Sequence, residues 1–326
     1  MTFKIHRRQL TAVVAAALAL GATASFAQAS DKPLRMVLPV GAGSGVDTIM
    51  RAATPSLTKA LGGQAVVIEN LPGAGGITGT GVVVRAAADG QTLGVVSNNH
   101  VVNPSVFKKM PFDAINDITP ISVVGATPFV LVVNPKLPAK NARELQALLK
   151  AKPDGYNYAS SGNGTIIHLA GAMFVDAAGV EVRHIPYKGV GPMVADLIGG
   201  QVEMGVVAVP AVQGQLKSGA LRAIGVMGKT RVPSLPDVPT IAEQGFPDVD
   251  VSGWFAVIGP AKMPPAEVKR LHAAIVAAFN MPETRDAMAK QENIINPMTP
   301  EASAQFFKTE QERYAKLVKK ANIVAE

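Results

Sequence analysis

Residues 34–97 alternate short apolar runs with amphipathic stretches. The predicted strands and helices follow one another at 34–38, 46–61, 65–68, 77–87 and 92–97. Strands that alternate with helices in this way are typical of a parallel sheet with helices on both faces. Pro55 lies inside the first predicted helix, and we expect it to bend or split that helix because it lacks a backbone N–H.

A second alternation of apolar strands and helices follows an irregular connection at 113–119. Its strands are predicted at 123–124, 130–133, 156–159, 182–185, 202–207, 220–226 and 251–258, and its helices at 142–150, 165–178, 190–198, 212–217, 265–279, 283–291 and 300–321. Together the alternations predict an α/β protein of two Rossmann-like lobes with a ligand cleft between them. We expect lobe 1 to comprise residues 30–125 and 252–326, with the C-terminal helices packed on it, and lobe 2 to comprise residues 126–251.

The N-terminus has the organisation of a secretory signal peptide. Three basic residues precede an apolar run at 10–20, and small residues at 27–29 form a cleavage pattern, with a second one at 25–27. The apolar run is too short to span a membrane. We therefore expect residues 1–29 to be removed on export, which places the mature protein in the periplasm.

Composition excludes several kinds of chemistry. The chain contains no cysteine, which excludes disulfides, thiol catalysis and thiolate metal sites. Its formal net charge is +7, and the basic residues are scattered along the sequence. Because proteins that bind nucleic acid carry a clustered basic stripe, we expect no nucleic-acid partner.

Glycine-rich turns end three of the predicted strands, at 41–45, 72–76 and 160–164, and each precedes a predicted helix. We call them the first, second and third glycine turns. The start of a helix offers unpaired N–H groups and the positive end of the helix dipole. Glycine lets the backbone approach a ligand closely, and serine or threonine adds a hydroxyl donor. The turns together therefore indicate a site for a small anion at the strand ends.

The spacing within the turns argues against a nucleotide loop and a hydrolase elbow. The dinucleotide motif G-x-G-x-x-G fails at each turn, because Val46, Thr78 and Ile167 occupy the position of the third glycine. The complete P-loop motif G-x-x-x-x-G-K-[ST] does not occur. Neither Ser44 nor Ser161 lies in a G-x-S-x-G elbow.

The histidines that follow the leader lack the spacing of metal ligands, and we expect neither a metal nor an organic cofactor. His100 and His168 each follow a strand end, so each either faces a ligand or has a structural role. We expect His184 and His272 to be structural. A periplasmic hydrolase or isomerase that uses His100 or His168 is the enzymatic alternative. Since no pair of base and nucleophile is visible, we predict a binding protein and not an enzyme.

Two charged residues lie close to the turns. Asp47 is in the first turn of the helix that follows the first glycine turn, where we expect it to cap the helix rather than to contact a ligand. Lys188 follows another strand end, and it either meets an anion or is solvated.

The sequence resembles the substrate-binding proteins of tripartite tricarboxylate transporters, the TctC or Bug family. The motifs that carry the resemblance are PLR (33–35), Pro39, GAGSGVD (41–47), EN (69–70), PGAGG (72–76), AAADG (86–90), DITP (117–120), SGNGT (161–165), HLAG (168–171), PYKG (186–189), GGQV (199–202), PDVPT (236–240), Glu243, Gly245, Trp254 and GP (259–260). The resemblance spans nearly the whole predicted mature chain. It implies a two-lobed periplasmic binding fold that closes on a small carboxylate.

The resemblance also implies a set of site residues. The first and second glycine turns would hold one carboxyl group, largely through backbone and water, and the third turn would meet the same ligand from the other lobe. The expected ligand-binding residues are Gly43, Ser44, Gly45, Ala74, Gly75, Gly76, Ile77, Ser160, Ser161, Gly162, Gly164, Thr165, His168 and Ala208.

Two departures from the family pattern concern the ligand. Many relatives carry an acid near position 208, where this chain has Ala208, and Gly171 is followed by Ala172 where relatives often have Glu. An acid near 208 could meet an amine, so an amino-acid ligand is disfavoured. The ligand is then a di- or tricarboxylate, or an aromatic acid that uses an apolar wall.

The resemblance implies membrane permease subunits of a tripartite tricarboxylate transporter as partners, with the receptor itself a monomer. The alternative is a periplasmic sensor that presents its ligand-bound form to a membrane signalling protein. In either role, we expect hinges between the lobes near 121–133 and 248–254.

Overall fold

The computed structural model describes residues 32–153, 155–320 and 323. The predicted signal peptide, residues 1–29, lies outside the described residues. The strands are β1 Leu34–Leu38, β2 Val66–Asn70, β3 Thr92–Ser97, β4 Ile118–Thr127, β5 Phe129–Val133, β6 Asn157–Ser160, β7 Arg183–Pro186, β8 Met204–Ala208, β9 Arg222–Val226, β10 Gly253–Pro260 and β11 Ile294–Ile295. The helices are α1 Gly45–Ala60, α2 Ile77–Val84, α3 Asn99–Val106, α4 Ala142–Ala151, α5 Ile166–Ala178, α6 Val190–Gly199, α7 Val209–Lys217, α8 Pro265–Asn280, α9 Pro282–Lys290 and α10 Pro300–Lys320, with a short 3₁₀ turn at Ala74–Gly76.

The first sheet is six-stranded, in the order β11-β4-β10-β3-β1-β2. β1 pairs in parallel with both β2 and β3, as the alternation of strands and helices predicts. β10 returns from the C-terminal part of the chain and pairs antiparallel with β3 on one side and β4 on the other. The first sheet is therefore completed by a strand that is far away in sequence.

The second sheet is five-stranded, in the order β7-β6-β8-β5-β9. β6 is parallel to β7 and β8, whereas β5 is antiparallel to β8 and β9. Only Pro128 separates the end of β4 in the first sheet from the start of β5 in the second. The chain thus passes from one sheet to the other almost without a loop.

The C-terminal helices pack on the elements of the first sheet. α8 contacts α1, and α10 contacts α3 and β4. α10 contributes the buried rings of Phe307 and Tyr314 to this core. The C-terminal helices thus lie against helices and a strand of the half built on the first sheet.

Pro55 does not split its helix, since α1 runs unbroken from Gly45 to Ala60. A proline inside a helix costs about 3 kcal/mol, because one backbone hydrogen bond is lost and the ring crowds the preceding turn. α1 buries Ile49, Met50 and Leu57 on its inner face. Full burial of each of these side chains contributes roughly 1.5–3 kcal/mol, which offsets the cost of the proline.

Candidate functional site

A cavity of about 90 Å³ lies between the two sheets, at the carboxyl ends of β1, β3, β6 and β8. Open α/β sheets bind ligands at this position. The cavity is lined by Val40, Ser44, Gly45, Val46, Ser97, Asn98, Asn99, Thr127, Phe129, Ser161, Ile166, Ile167, Val190, Ala208, Ala211, Gly253 and Trp254. Among these residues, all within the described part of the chain, no side chain carries a charge.

Several helices begin at the wall of the cavity. The lining includes the first residues of α1, α3, α5 and α6, and the residue that precedes α7. The positive end of each helix dipole contributes roughly 0.3–1 kcal/mol to the binding of a nearby anion. The cavity therefore favours negative charge through backbone dipoles, N–H groups and hydroxyls, without a cationic side chain.

The first glycine turn is braced by Asp47. Ser44 is the N-cap of α1, and its hydroxyl accepts a hydrogen bond from the Asp47 N–H at 3.3 Å. The Asp47 carboxylate accepts hydrogen bonds from the Gly43 N–H, the Arg51 guanidinium and the Asn70 amide, each at 3.0 Å. Asp47 is only 3% exposed, so its carboxylate makes these contacts inside the protein rather than with solvent. The structure gives Asp47 the capping role that the sequence predicts.

Burial raises the pKa of the Asp47 carboxyl, but hydrogen bonds from Arg51, Gly43 and Asn70 outweigh burial and hold that pKa below its ordinary value. The carboxylate is therefore ionised at neutral pH. Because the Gly43 N–H donates to this carboxylate, the backbone donors that the turn offers to a ligand lie further along. They include the N–H groups of Gly45 and Val46, which as the first two residues of α1 have no intrahelical acceptor.

We expect Asp47→Asn to loosen the first glycine turn. The amide keeps the shape of the side chain but lacks the charge and one acceptor, so the bonds from Gly43, Arg51 and Asn70 cannot all persist. Loss of such charge-assisted hydrogen bonds costs about 1–3 kcal/mol. Urea denaturation should show this loss in the free energy of unfolding, and calorimetry should show weaker ligand binding.

Asp89→Asn serves as the control for the Asp47 variant. Asp89 is exposed and accepts a hydrogen bond from the Gln91 N–H in a surface turn, so the charge change is the same but the site is untouched. Equal effects of the two substitutions on ligand affinity would show that Asp47 has no special part in the turn.

The second glycine turn has a left-handed backbone, which glycine adopts more readily than other residues. Gly75 and Gly76 have φ of 62° and 97°, in the left-handed region, and Ala74 has φ of 45°. Gly75 and Gly76 line a smaller cavity of about 10 Å³ that shares Val40, Ser97 and Asn99 with the main cavity. The second turn therefore lies beside the main cavity, while Ala74 and Ile77 are not part of either lining.

The third glycine turn is held in place by hydrogen bonds with the side chains of Ser160 and His168. Ser160 Oγ donates to the Gly162 carbonyl at 3.0 Å and lies 2.7 Å from His184 Nε2. Thr165 is the N-cap of α5, and the Gly164 N–H donates to His168 Nδ1 at 3.1 Å. Of this turn, only Ser161 lines the main cavity.

A hydrogen bond crosses the cavity at the start of α5. The side-chain oxygen Oδ1 of Asn99, at the start of α3, accepts from the Ile166 N–H at 2.7 Å. Asn99 belongs to the half of the molecule built on the first sheet, and Ile166 to the half built on the second. The first N–H of α5 is therefore occupied from across the cavity.

His168 and His184 form a stacked pair under the third turn. Their rings are 3.7 Å apart and nearly parallel, at 7°. The Tyr158 ring lies 4.9 Å from His184 and 6.1 Å from His168, so it contacts both histidines. Burial lowers the pKa of His168 to about 3, with a smaller contribution from His184, and burial lowers the pKa of His184 to about 4. His168 supports the third turn by accepting a hydrogen bond from the Gly164 N–H, and it is absent from the cavity lining.

His100 is also buried, with Nε2 2.6 Å from the Ala114 carbonyl oxygen. Burial lowers its pKa to about 4. Both histidines of the enzymatic alternative, His100 and His168, are thus neutral at pH 7. The His100 Nε2–H donates to the Ala114 carbonyl and His168 Nδ1 accepts from the Gly164 N–H, so each ring already has a partner within the protein.

The expected site residues fall into three groups. Ser44, Gly45, Ser161 and Ala208 meet at the main cavity, and Gly75 and Gly76 meet at the smaller one. The expected residues that are absent from both linings are Gly43, Ala74, Ile77, Ser160, Gly162, Gly164, Thr165 and His168. Direct contact of these residues with a ligand stays a prediction.

Sequence reasoning missed some of the lining. Phe129, Asn99 and Trp254 come from segments that lie far apart in the chain, and the cavity brings them together. The sequence offered two weak signals for them: Asn99 follows a predicted strand end, and Trp254 is the sole tryptophan of the sequence.

Larger, more open grooves lie elsewhere on the surface. One groove, of about 410 Å³, is lined by Trp254 and by the ion pair of Glu310 and Arg313. Another groove, of about 450 Å³, is lined by Phe112 and its neighbours. Neither groove includes a residue of the glycine turns, so we place the candidate site in the main cavity between the sheets.

The described residues were also searched for membrane spans and metal sites. Each helix within 32–153 and 155–320 falls short of the length or the hydropathy needed to cross a membrane. The part of the chain that the structure describes places no three His, Cys, Asp or Glu side chains where they could share a metal ion.

A family model described as the tripartite tricarboxylate transporter family receptor, TctC, matches residues 49–323. The chain belongs to this family. Among solved structures, it resembles the periplasmic binding protein BugD, with a TM-score of 0.86 and 32% identity over 91% of this chain and 99% of BugD. The TctC family resemblance seen in the sequence is therefore confirmed.

Two further structures similar to this TctC family member were solved with carboxylates. Rpa4515 of R. palustris with adipate has a TM-score of 0.87 and 27% identity, over 91% of this chain and 99% of that one. MatC of Rhodopseudomonas palustris with bound malate has a TM-score of 0.83 and 27% identity, over 89% and 99%. These matches confirm the predicted two-lobed α/β fold. TctC proteins are substrate-binding proteins, which confirms the prediction that the chain is not an enzyme.

Proposed function

We propose that this TctC family protein captures a small organic carboxylate in the cavity between its two sheets and delivers it to the membrane permease of a tripartite tricarboxylate transporter. The observation that carries the proposal is the convergence of helix N-termini on a cavity whose described lining has no charged side chain. Such a cavity holds an anion by N–H groups and hydroxyls. The solved relatives with adipate and malate support a carboxylate as that anion.

The proposal includes the arrangement of the lobes and the location. We propose that residues 30–125 with 252–326 form one lobe and 126–251 the other, and that the mature protein works in the periplasm after loss of residues 1–29. The distribution of strands supports these boundaries, because β5 to β9 form the second sheet and the other strands form the first. The periplasmic relative BugD supports the location.

The sole tryptophan makes binding directly measurable. Trp254 lines the cavity, and its indole Nε1–H donates to the buried Glu310 carboxylate at 3.2 Å. A carboxylate that enters the cavity displaces water next to the indole, so we expect its titration to change the intrinsic fluorescence in a saturable way. The titration should cover aliphatic and aromatic mono-, di- and tricarboxylates.

Calorimetry supplies the stoichiometry, which should be one ligand per chain. The variant Trp254→Phe should lose the fluorescence change but still show ligand-dependent stabilisation in thermal unfolding. Failure of every carboxylate to change either fluorescence or thermal stability would contradict the proposed function.

A further inference from the structure

The two halves of the cavity differ in polarity. The half built on the first sheet offers the hydroxyls of Ser44 and Ser97 and the start of α1, next to the apolar side chains of Val40, Val46 and Trp254. The half built on the second sheet is apolar apart from Ser161, and its lining residues are Phe129, Ile166, Ile167, Val190, Ala208 and Ala211. An anion and an apolar group would therefore settle at opposite walls.

The polar groups of the first half include donors that a ligand can use. The Ser44 hydroxyl accepts from the Asp47 N–H, so its hydrogen can point to a ligand oxygen. The N–H of Gly45 begins α1 beside it. A carboxylate placed here meets neutral donors and the positive end of the α1 dipole.

Three helices of the second half begin at the cavity, and at two of them, α5 and α7, the first N–H is already engaged. The Ile166 N–H of α5 donates to Asn99 Oδ1, and the Val209 N–H of α7 donates to the Pro128 carbonyl at 3.0 Å. Pro210, the second residue of α7, has no N–H to offer. Apart from the start of α6 at Val190 and the Ser161 hydroxyl, this half therefore presents side-chain hydrocarbon to a ligand.

The other polar lining side chains also have partners within the protein. Asn98 Nδ2 donates to the Ser252 carbonyl and to the Tyr314 hydroxyl, and Thr127 Oγ1 donates to Asn293 Oδ1. Lys188, which precedes the lining residue Val190 by two positions, is exposed and is not part of the lining. No lining side chain of the described chain is thus a cation for a second carboxylate.

We infer that the ligand is a monocarboxylate with an uncharged, apolar body, a conclusion that rests on the proposed function. Its carboxylate lies at the start of α1, and its body lies against Phe129, Ile167 and Ala211. A second carboxylate pressed against these three side chains would lose its water without gaining a charged or hydrogen-bonding partner from them. The site therefore selects against the diacids seen in the two solved relatives.

Matched pairs of ligands test this inference on the native protein. Hexanoate and adipate have the same six-carbon chain, and benzoate and terephthalate have the same ring, so the members of each pair differ only in the second carboxylate. We expect calorimetry to give at least about tenfold tighter binding for the better-fitting monocarboxylate than for its diacid.

A charge placed in the apolar half should reverse the preference. Ala211 lines that half, and Ala211→Lys would set an ammonium group near the distal end of the ligand. We expect the ratio of adipate to hexanoate affinity to rise at least about tenfold. Ser218→Lys adds the same charge at the exposed far end of α7, and it should leave the ratio unchanged.

The outcomes separate the inference from the proposed function. Binding of adipate or terephthalate as tight as, or tighter than, that of its monocarboxylate overturns the inference and leaves carboxylate capture standing. An unchanged ratio in Ala211→Lys overturns the placement of the ligand's distal end. Failure of all four acids, while another di- or tricarboxylate binds, overturns the inference alone. Failure of every carboxylate overturns both.

Discussion

Gly45→Val is expected to weaken carboxylate binding at least about a hundredfold while the fold persists. Gly45 is the first residue of α1, and it lines the cavity next to Ala208. A Cβ added at Gly45 would lie 3.3 Å from the Ala208 Cβ, and the two methyl groups of valine extend further. The side chain would occupy ligand space and force the helix starts apart, and a hundredfold loss corresponds to about 2.7 kcal/mol.

Gly41→Val is the matched control for this prediction. Gly41 lies in the same turn, its φ is outside the left-handed region, and an added Cβ would meet nothing within 4 Å. Both variants should unfold at temperatures close to that of the native protein, and calorimetry should show native affinity only for Gly41→Val. Native affinity of Gly45→Val would remove the start of α1 from the ligand site.

Acidification from pH 7 to 5 should destabilise the fold through His168 and His184 by about 2 kcal/mol for each histidine. Both are held neutral in the folded state, with pKa values lowered by burial to about 3 and about 4. In the unfolded chain they take up protons near pH 6.5. Their neutral form therefore favours folding fully above pH 6.5, and this contribution is lost as the pH falls from 6.5 towards 4.

His168→Asn isolates the contribution of one histidine. Asparagine keeps an acceptor for the Gly164 N–H but does not titrate, so the loss of stability between pH 7 and pH 5 should shrink by about 2 kcal/mol. Urea denaturation at the two pH values measures it, and His184→Gln gives a second, independent reading. Native-like pH dependence in both variants would show that the pair is not held neutral by burial.

The sequence predicts those parts of the fold that short segments decide. β3 was predicted with its observed bounds, 92–97, because its apolar run is too short for most helices, contains β-branched residues and is bounded by turn residues. α3 was missed because its sequence, NHVVNPSV, contains two asparagines and a proline, which give no helical pattern. β11 has two residues and depends on pairing with β4, so no local signal exists for it.

In the candidate site too, features set by neighbouring residues were predictable and features set by distant segments were not. The glycine turns could be predicted from sequence because the left-handed backbone that favours glycine and the N-terminus of a helix each depend on only a few neighbouring residues. The role of His168 could not, because its partner His184 reaches it only when β7 pairs with β6, with His184 opposite Tyr158. The apolar wall was equally hidden, since Phe129 and Ala211 become neighbours of Ser44 only in the finished fold.

The position of β10 in the first sheet also bears on how the chain is made. β10 lies between β3 and β4, so residues 253–260 must arrive before those two earlier strands are joined into one sheet. Such contacts between distant segments form late and slowly. During synthesis, the N-terminal part of the chain therefore stays incomplete until most of the protein has been made. On the export that we propose, this delay would keep the precursor unfolded while it crosses the membrane.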